Sequence, residues 1–463
     1  MTDSLGQQFF NDSRVESSIQ NLIQLMEEYS QQLEGTRPPT EGENIHYDQY
    51  LNMIEQYRGR ELFYPYLSSG LGNGPLVELA DGSVKYDCII GIGVHYLGHS
   101  HPDLIEAGIR AGLEDTVMQG NLQQNPESAR LMDDLVELGS RGESRLEHCF
   151  LTSSGAMANE NALKMCFQHQ APADRVLAFE NSFSGRTMTL AQITDKPEYR
   201  EGLPDTIDVD YVPFYDAEAP EKSTENALSR LNKHLEKHGD QYGAMVMELV
   251  QGESGFYPGS REFLEPIMSR LQDRGIPVFV DEVQSFGRTS EPFAFQHFDL
   301  ESYVDVATVG KLTQTCATLY TPELNPEPGL VSQTFTSSSS AIRASRVILN
   351  ELTGGEYFGP NGIISSVHDD FVDRLTTIHS NHPESLRGPY GTGAMVACTA
   401  FDGSTEKTRD FLQTLYNNGV IAFLAGDEPS RVRFLLPVGA IEREHLNEIA
   451  QRIETTIDEC KGG

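Results

Sequence analysis

The sequence predicts an α/β fold built on a largely parallel sheet with helices on both faces. From about residue 145 onward, short and nearly continuous apolar runs alternate with amphipathic segments. That alternation is typical of parallel sheets, because a crossover helix must connect each strand to the next. The length of 463 residues exceeds one minimal core and indicates two or three domains. Ligands of such sheets bind at the carboxyl ends of the strands.

The predicted elements follow in order along the chain. Apolar residues at helical spacing predict an N-terminal helix from Ser17 to Leu33, with Gly35 placed to end it. The polar segment TRPPTEGEN then reads as a linker or an arm. Later segments alternate in type, with strands at HCFLTSS, RVLAF, AMVMELV, PVFVDEV and VDVATVG and helices at NENALKMCF and REFLEPIMSRLQDRG.

The composition limits the classes of partner. The chain has 34 Lys and Arg residues and 69 Asp and Glu residues. The resulting net charge of -35 repels nucleic-acid phosphates and anionic lipids. The six cysteines include no CxxC pair, which indicates reduced thiols. The sequence shows neither a signal peptide nor an apolar run of about 18 residues. We therefore expect a cytoplasmic protein with no nucleic-acid or membrane partner.

An acid and an amine stand at the ends of two successive predicted strands. Asp281 and Gln284 lie where PVFVDEV runs into a Gly-containing turn, and Lys311 follows VDVATVG thirty residues after Asp281. Pyridoxal phosphate (PLP) needs this pair, because a lysine forms the Schiff base and an acid keeps the pyridine nitrogen protonated. Taken singly, each residue is more simply a solvated surface group. The pair therefore carries the hypothesis.

A binding site for the cofactor phosphate is predicted in TSSGAMANENALK. Ser154, Gly155 and Ala156 lie between an apolar strand and a helix, where free backbone N–H groups and the helix dipole favour a dianion. A plain turn with Ser as the N-cap explains the same residues equally well.

Several motifs occur together in one order, namely LADGSVKYD, YLGHSHP, SSGAMANENALK, FSGRT, MELVQGESG, DEVQSFGRT, VGKLTQ, QTF and RVRFLLP. Over roughly residues 75 to 440, this series resembles the class III (ω-) aminotransferases, the PLP enzymes that include 4-aminobutyrate, ornithine, acetylornithine and lysine 6-aminotransferases. The resemblance implies fold type I. It places an N-terminal arm and part of a small domain at 1–94, a large PLP-binding domain at 95–335 and the C-terminal small domain at 336–463.

The resemblance also implies a set of cofactor contacts. They are the phosphate at Ser154, Gly155 and Ala156, the ring faces at Phe183 and Val283, the ring nitrogen at Asp281, the ring hydroxyl at Gln284 and the Schiff base at Lys311. Thr334, in QTF, matches a residue that reaches the phosphate of the neighbouring subunit, which implies a homodimer or larger assembly with shared active sites. The following SSSSAIRAS lacks the Gly-Gly-Asn-Pro usual in the family, and Met157 and Ser184 also depart from its pattern.

Two arginines are expected to bind substrate carboxylates, for which a planar guanidinium is suited. Arg186 in FSGRT matches one such family residue, and Arg433 in RVRFLLP matches the one that holds the α-carboxylate of glutamate or 2-oxoglutarate. Glu253 of QGESG would pair with Arg433 when the bound amine lacks that carboxylate and would move aside when glutamate binds. The alternative for each arginine is an ordinary surface ion pair.

The resemblance thus implies a transaminase that moves the terminal amine of an amino acid of the 4-aminobutyrate, ornithine or lysine type to 2-oxoglutarate. Lys311 and Asp281 would be its catalytic residues, with Lys311 as the general base and acid. Two alternatives stay open: an epimerase or aminomutase on the same scaffold, and a catalytically silent PLP-fold protein. No metal is expected at His99 and His101, because a third ligand motif is missing.

Overall fold

The computed structural model describes residues 4–40, 45–115, 117–118 and 122–462. The end of the predicted TRPPTEGEN linker, residues 41–44, lies outside the described residues. The helices of the described part are α1 Leu5–Phe10, α2 Ser13–Ser30, α3 Ile45–Arg58, α4 Ile90–Gly93, α5 Pro102–Gly112, α6 Pro126–Gly139, α7 Gly155–His169, α8 Leu190–Ile193, α9 Pro220–His238, α10 Arg261–Gln272, α11 Ala294–His297, α12 Ser339–Gly354, α13 Ile363–Asn381, α14 Thr405–Asn417 and α15 Arg443–Gly462.

The strands of the described part are β1 Ser68–Asn73, β2 Leu76–Leu79, β3 Val84–Asp87, β4 Val117–Met118, β5 His148–Thr152, β6 Arg175–Phe179, β7 Asp208–Val212, β8 Tyr242–Met247, β9 Val250–Gln251, β10 Tyr257–Pro258, β11 Val278–Glu282, β12 Val306–Val309, β13 Cys316–Tyr320, β14 Ser337–Ser338, β15 Leu386–Thr392, β16 Met395–Ala400, β17 Val420–Ile421, β18 Phe423–Ala425 and β19 Arg431–Leu435.

A seven-stranded sheet forms the centre of the molecule, in the order β5-β13-β12-β11-β8-β6-β7. The strand β13 is antiparallel to both of its neighbours, and the other pairs are parallel. Each of the five predicted strands contributes one strand to this sheet, and the helices predicted between them are α7 and α10. The sheet is therefore the largely parallel one, flanked by helices, that the alternating apolar runs predict, and it also contains β7 and β13, which were not predicted.

The sheet is covered on both faces because alternate residues of its strands point to opposite sides. In β6, Val176 and Ala178 pack in one core cluster with residues of α7, such as Ala162. Leu177 and Phe179 belong to the other cluster, which contains residues of α6, α9 and α10. These buried apolar faces fix the helices against the sheet and so fix the loops at its carboxyl edge.

Two smaller sheets combine segments from both ends of the chain. In the sheet β1-β2-β3-β17, the C-terminal strand β17 pairs in parallel with the N-terminal strand β3. The antiparallel sheet β15-β16-β19-β18 consists of C-terminal residues alone. Such pairing agrees with a smaller α+β unit built from both ends, while the predicted domain bounds at 94 and 335 stay predictions.

The N-terminal helix differs from its predicted bounds of Ser17 to Leu33. It begins at Ser13, where the carboxylate of Asp12 accepts a hydrogen bond from the backbone N–H of Arg14 at 2.9 Å, and it ends at Ser30. The prediction was wrong by about one turn because apolar spacing does not register a polar first turn, whereas the N-cap side chain fixes the start. No helix of the described residues is long and apolar enough to cross a membrane.

Candidate active site

Lys311 lies at the carboxyl end of β12 and begins a short 3-10 turn, Lys311–Thr313. Its backbone has a φ of 51°, a left-handed conformation that non-glycine residues rarely adopt and that is common at functional sites. The side chain is partly buried. Desolvation of the amine, together with the nearby cations Arg433 and Arg288, lowers the pKa of Lys311 to about 8. About a tenth of this amine is therefore unprotonated at pH 7, far more than for an ordinary lysine.

Asp281 lies on the neighbouring strand β11, with Asp281 in register with Thr308 of β12. Its carboxylate accepts hydrogen bonds from the backbone N–H of Val283 at 3.0 Å and from Asn159 Nδ2 at 2.6 Å. Burial raises the pKa of Asp281, while both hydrogen bonds and the charge of Lys311 act in the opposite direction. The acid and the amine therefore lie near each other, as the two strand ends predicted.

Asn159 is a site residue that the sequence analysis missed. It lies on α7 with 1% of its surface exposed, and its Nδ2 also donates to the carbonyl of Ser184 at 2.7 Å. Its Oδ1 accepts from Thr308 Oγ1 at 2.7 Å. One amide thus joins the acid, the FSGRT loop and β12. A signal was present in the sequence, because Asn159 lies four residues after Gly155 and so on the same helix face.

The predicted phosphate-binding residues lie at the N-terminus of α7. Ser154 is the N-cap, and its side chain accepts a hydrogen bond from the backbone N–H of Met157 at 3.2 Å. A Cβ atom on Gly155 would lie 2.8 Å from Val283 Cγ1, and one on Gly310 would lie 3.1 Å from the same atom. Val283 therefore lies between the start of this helix and the residue before Lys311. Ala156 is partly buried in the first turn of α7.

Gln284 is buried beside the QGESG loop. It is 8% exposed, and its Oε1 is a buried atom with no hydrogen-bond partner in the described part of the chain. A Cβ atom on Gly252 would lie only 2.3 Å from this oxygen, so the close approach depends on glycine. An unsatisfied buried acceptor is costly, and a ring hydroxyl would supply the missing donor. The residues present therefore fit PLP, with this acceptor, an acid and an amine at one edge of the sheet.

Glu248, at the carboxyl end of β8, is a second residue that the sequence analysis missed. It accepts hydrogen bonds from the backbone N–H of Phe183 at 2.9 Å and of Gly252 at 3.1 Å. Burial raises the pKa of Glu248 to about 8, with a further contribution from the charge of Asp281. Glu248 thereby holds together the two loops that carry the predicted ring-stacking residue and the QGESG motif.

Glu253 and Arg433 form an ion pair, with Glu253 Oε2 3.0 Å from Arg433 Nη2. The Arg433 side chain is 1% exposed and Glu253 is 23% exposed. Arg433 Nη1 also donates to the carbonyl of Gly252 at 3.2 Å. The guanidinium is therefore fixed and buried, whereas its carboxylate partner is open to solvent on one side.

Arg186 and Thr334 lie farther out. Arg186 is exposed, and its guanidinium lies 3.9 Å from the ring centre of Tyr199 and 5.9 Å from that of Phe183. Thr334 is exposed, and no hydrogen bond joins it to another predicted site residue in the described part of the chain. His99 Nε2 lies 2.9 Å from Asp87 Oδ2, and no cluster suited to a metal ion occurs among the described residues.

Comparisons with known proteins find a matching family and several relatives. Residues 65–457 match the family described as "Aminotransferase class-III". Acetylornithine aminotransferase of Lactococcus lactis is 30% identical over 81% of this chain and 92% of that protein. A putative [LysW]-aminoadipate semialdehyde/glutamate semialdehyde transaminase of Pyrococcus horikoshii is 28% identical over 85% of this chain and 96% of that protein.

Solved structures support the fold. Lysine aminotransferase from M. tuberculosis superposes with a TM-score of 0.79 at 20% identity, covering 89% of this chain and 99% of that one. Ornithine aminotransferase from Toxoplasma gondii gives a TM-score of 0.77 at 20% identity, covering 90% and 96%. The predicted α/β fold of type I is confirmed.

Proposed function

Because the chain belongs to the class-III aminotransferases and is a PLP-dependent transaminase, we propose that its donor is the terminal amine of an amino acid of the 4-aminobutyrate, ornithine or lysine type and that its acceptor is 2-oxoglutarate. The names of the acetylornithine and aminoadipate semialdehyde relatives support a terminal amine or aldehyde as the reacting group. The names of the relatives, which are transaminases, support this reading over the isomerase and the silent protein.

The ion pair between Glu253 and Arg433 is the observation that carries the proposal. A buried guanidinium strongly disfavours the loss of its counterion, so Arg433 needs a carboxylate at every stage. With a donor that presents no carboxylate there, Glu253 is that partner. With 2-oxoglutarate, the α-carboxylate replaces it, and the partly exposed Glu253 moves into water at little cost. One site can thus accept two substrates of different charge.

Arg186 supports the recognition of a second substrate carboxylate. Its exposed guanidinium is held against Tyr199 and keeps its donors free for the distal carboxylate of a substrate. Arg186 has no ion-pair partner among the described residues, whereas Arg433 is paired with Glu253. This arrangement favours a donor with one carboxylate and an acceptor with two.

The residues that would hold PLP are Lys311, Asp281, Gln284, Phe183, Val283 and the N-terminus of α7 with Ser154, Gly155 and Ala156. When bound, PLP supplies an aldehyde for the amine and an electron-withdrawing ring that acidifies the neighbouring C–H bond. Asp281 holds a proton at the ring nitrogen, and Asn159 keeps this carboxylate oriented and charged. The Lys311 amine, with its pKa lowered to about 8, would take the proton from the donor carbon and deliver it to the cofactor.

Three expectations stay predictions. Thr334 would contact the phosphate of a second subunit, which makes the working unit a homodimer or larger. The domains would divide at residues 94 and 335. The protein would act in the cytoplasm.

A donor and acceptor screen tests the proposal. We expect 4-aminobutyrate, ornithine, N-acetylornithine or lysine to react with 2-oxoglutarate and to yield glutamate, with pyruvate a poorer acceptor because it lacks the second carboxylate. Preference for pyruvate, or transfer from α-amines alone, would contradict the proposal.

The variant Glu253→Ala tests the ion pair itself. We expect the kcat/KM for the terminal-amine donor to fall about tenfold or more, because Arg433 loses its partner, while the KM for 2-oxoglutarate stays unchanged or decreases. The matched control is Glu406→Ala, which removes an exposed carboxylate from α14. Equal losses with donor and acceptor would refute the exchange of partners.

A further inference from the structure

A second cavity lies outside the site described above. Its volume is about 920 Å³, and it lies between the loops after β6 and β7 and the small sheet that contains β15, β16 and β19. None of the predicted cofactor or substrate contacts lines it. Gln251 and Ser254 of the QGESG region do, so that loop borders both spaces. The volume is in the range of sites for small ligands.

Arg431 lines this cavity and has an unusual environment. It is 6% exposed, and its guanidinium lies between two tyrosine rings, 3.7 Å from the centre of Tyr257 and 3.8 Å from that of Tyr390. Nη1 donates to the carbonyl of Gly255 at 2.8 Å, and Nε is buried with no hydrogen-bond partner in the part of the chain that the structure describes. Among the described residues, no carboxylate forms an ion pair with it. Burial accordingly lowers the pKa of Arg431.

The contrast with Arg433 makes this absence informative. The two arginines are separated by two positions on β19 and so point to the same side of the sheet, and both donate to backbone carbonyls of the QGESG loop. Arg433 has Glu253 as its counterion, whereas Arg431 has none in the part of the chain described. A buried cation without a counterion is costly, and a ligand carboxylate would offset that cost.

Carboxylates outnumber cations in the rest of the cavity lining, which contains the cations Lys196 and Arg387 and the acids Glu180, Asp195, Asp216, Glu218, Asp427 and Glu428. Asp216, Glu218 and Glu428 line it as exposed carboxylates, and Asp427 lies 3.3 Å from Lys196 in an ion pair. Acidic residues therefore predominate at the exposed end of the cavity, and they disfavour a simple anion. A ligand that carries a cationic group in addition to its carboxylate would satisfy both ends. The tyrosine and phenylalanine rings in the wall also favour such a cation.

We propose that this cavity is a second binding site, for a small zwitterion such as an amino acid or a betaine. The carboxylate of the ligand binds the edge of the Arg431 guanidinium, which the two tyrosines hold in place, and its ammonium group lies toward the acidic entrance. The site is distinct from transamination and does not depend on the identity of the donor.

The test is isothermal titration of the PLP-loaded enzyme with 4-(trimethylammonio)butanoate. Its nitrogen carries four carbon substituents, so it cannot act as an amine donor. We expect one site per chain. In Arg431→Gln the affinity should fall about tenfold or more, while transaminase activity persists. In Arg433→Gln the affinity should stay unchanged.

Two further variants keep the result interpretable. Ala217→Trp narrows the cavity mouth without removing a buried charge and should also abolish binding. Arg443→Gln removes a 70% exposed guanidinium elsewhere and should have no effect. Acetate carries only the carboxylate, and tetramethylammonium carries only the cationic group. Each should therefore bind more weakly than the zwitterion.

Three results would overturn the proposal. They are the absence of binding by the unmodified enzyme up to about 10 mM ligand, equal affinity in Arg431→Gln, and loss of binding in Arg433→Gln alone, which would place the ligand in the transamination site.

Discussion

Replacing Asn159 with Ala should impair catalysis through Asp281, although Asn159 itself touches no reacting atom. The amide donates to Asp281 Oδ2 at 2.6 Å and to the Ser184 carbonyl, and it accepts from Thr308 Oγ1 at 2.7 Å. Alanine removes all three contacts from a site that is 1% exposed. The Asp281 carboxylate then loses one of its two observed donors.

The magnitude follows from the type of bond. A hydrogen bond to a charged group contributes about 1.5–3 kcal/mol. If that energy is lost from the charged form of Asp281, which holds the ring nitrogen proton, then kcat/KM falls by a factor of about 10 to 100. Thr308 is fully buried, so its orphaned hydroxyl should also lower the free energy of unfolding by about 1–3 kcal/mol.

The assay is steady-state transamination at saturating PLP, with thermal unfolding measured in parallel. Asn161→Ala is the matched control, because Asn161 lies on the same helix and is 2% exposed, and its buried Nδ2 has no hydrogen-bond partner among the residues described. A kcat/KM for Asn159→Ala within about twofold of the unmodified enzyme, with PLP saturating, would refute the positioning role. Equal losses in both variants would instead indicate a general effect on α7.

Three other changes have defined outcomes. Lys311→Ala should abolish covalent attachment of PLP, measured by borohydride reduction and peptide mapping. Gly252→Ala should weaken PLP binding about tenfold, measured by equilibrium titration, because its Cβ would meet Gln284 Oε1 at 2.3 Å. Glu248 has its pKa raised from 4.5 to about 8, so its contribution to stability is complete below pH 4.5 and is lost as the pH rises toward 8, by up to about 1.4 kcal/mol per pH unit. Glu248→Gln should remove that part of the pH dependence of unfolding.

The first two changes have matched control variants, and Glu248→Gln is compared with the parent enzyme. Lys85→Ala alters a lysine that is also buried, whose Nζ donates to the Tyr416 carbonyl at 3.0 Å, and should leave labelling intact. Gly112→Ala adds a Cβ that meets nothing within 4 Å and should not change PLP affinity. The reasoning on Lys311 would be contradicted if labelling persisted in Lys311→Ala. Unchanged PLP affinity in Gly252→Ala would contradict the reasoning on Gly252. The reasoning on Glu248 would be contradicted if the unfolding of Glu248→Gln kept the pH dependence of the parent enzyme.

The sequence by itself determined the sheet and the meeting of its strand ends. Apolar runs of strand length separated by amphipathic helices allow few arrangements, because both faces of a parallel sheet must be covered. Once PVFVDEV and VDVATVG are adjacent parallel strands, Asp281 and Lys311 must emerge at one edge. Only local periodicity and chain direction are needed for that result. The motifs then indicated the family, which the match over residues 65–457 confirmed.

The tertiary structure alone decided which side chains support that edge. Asn159 and Asp281 are 122 residues apart in the sequence. Glu248 is 65 residues from Phe183, whose backbone N–H donates a hydrogen bond to it. Arg431 and Arg433 look alike in the sequence, yet one has a carboxylate partner and the other lies between two tyrosines. Hydrophobic periodicity records which face of an element is buried. Hydrogen-bond and charge partners depend on how distant faces meet, and packing fixes that only in the folded chain.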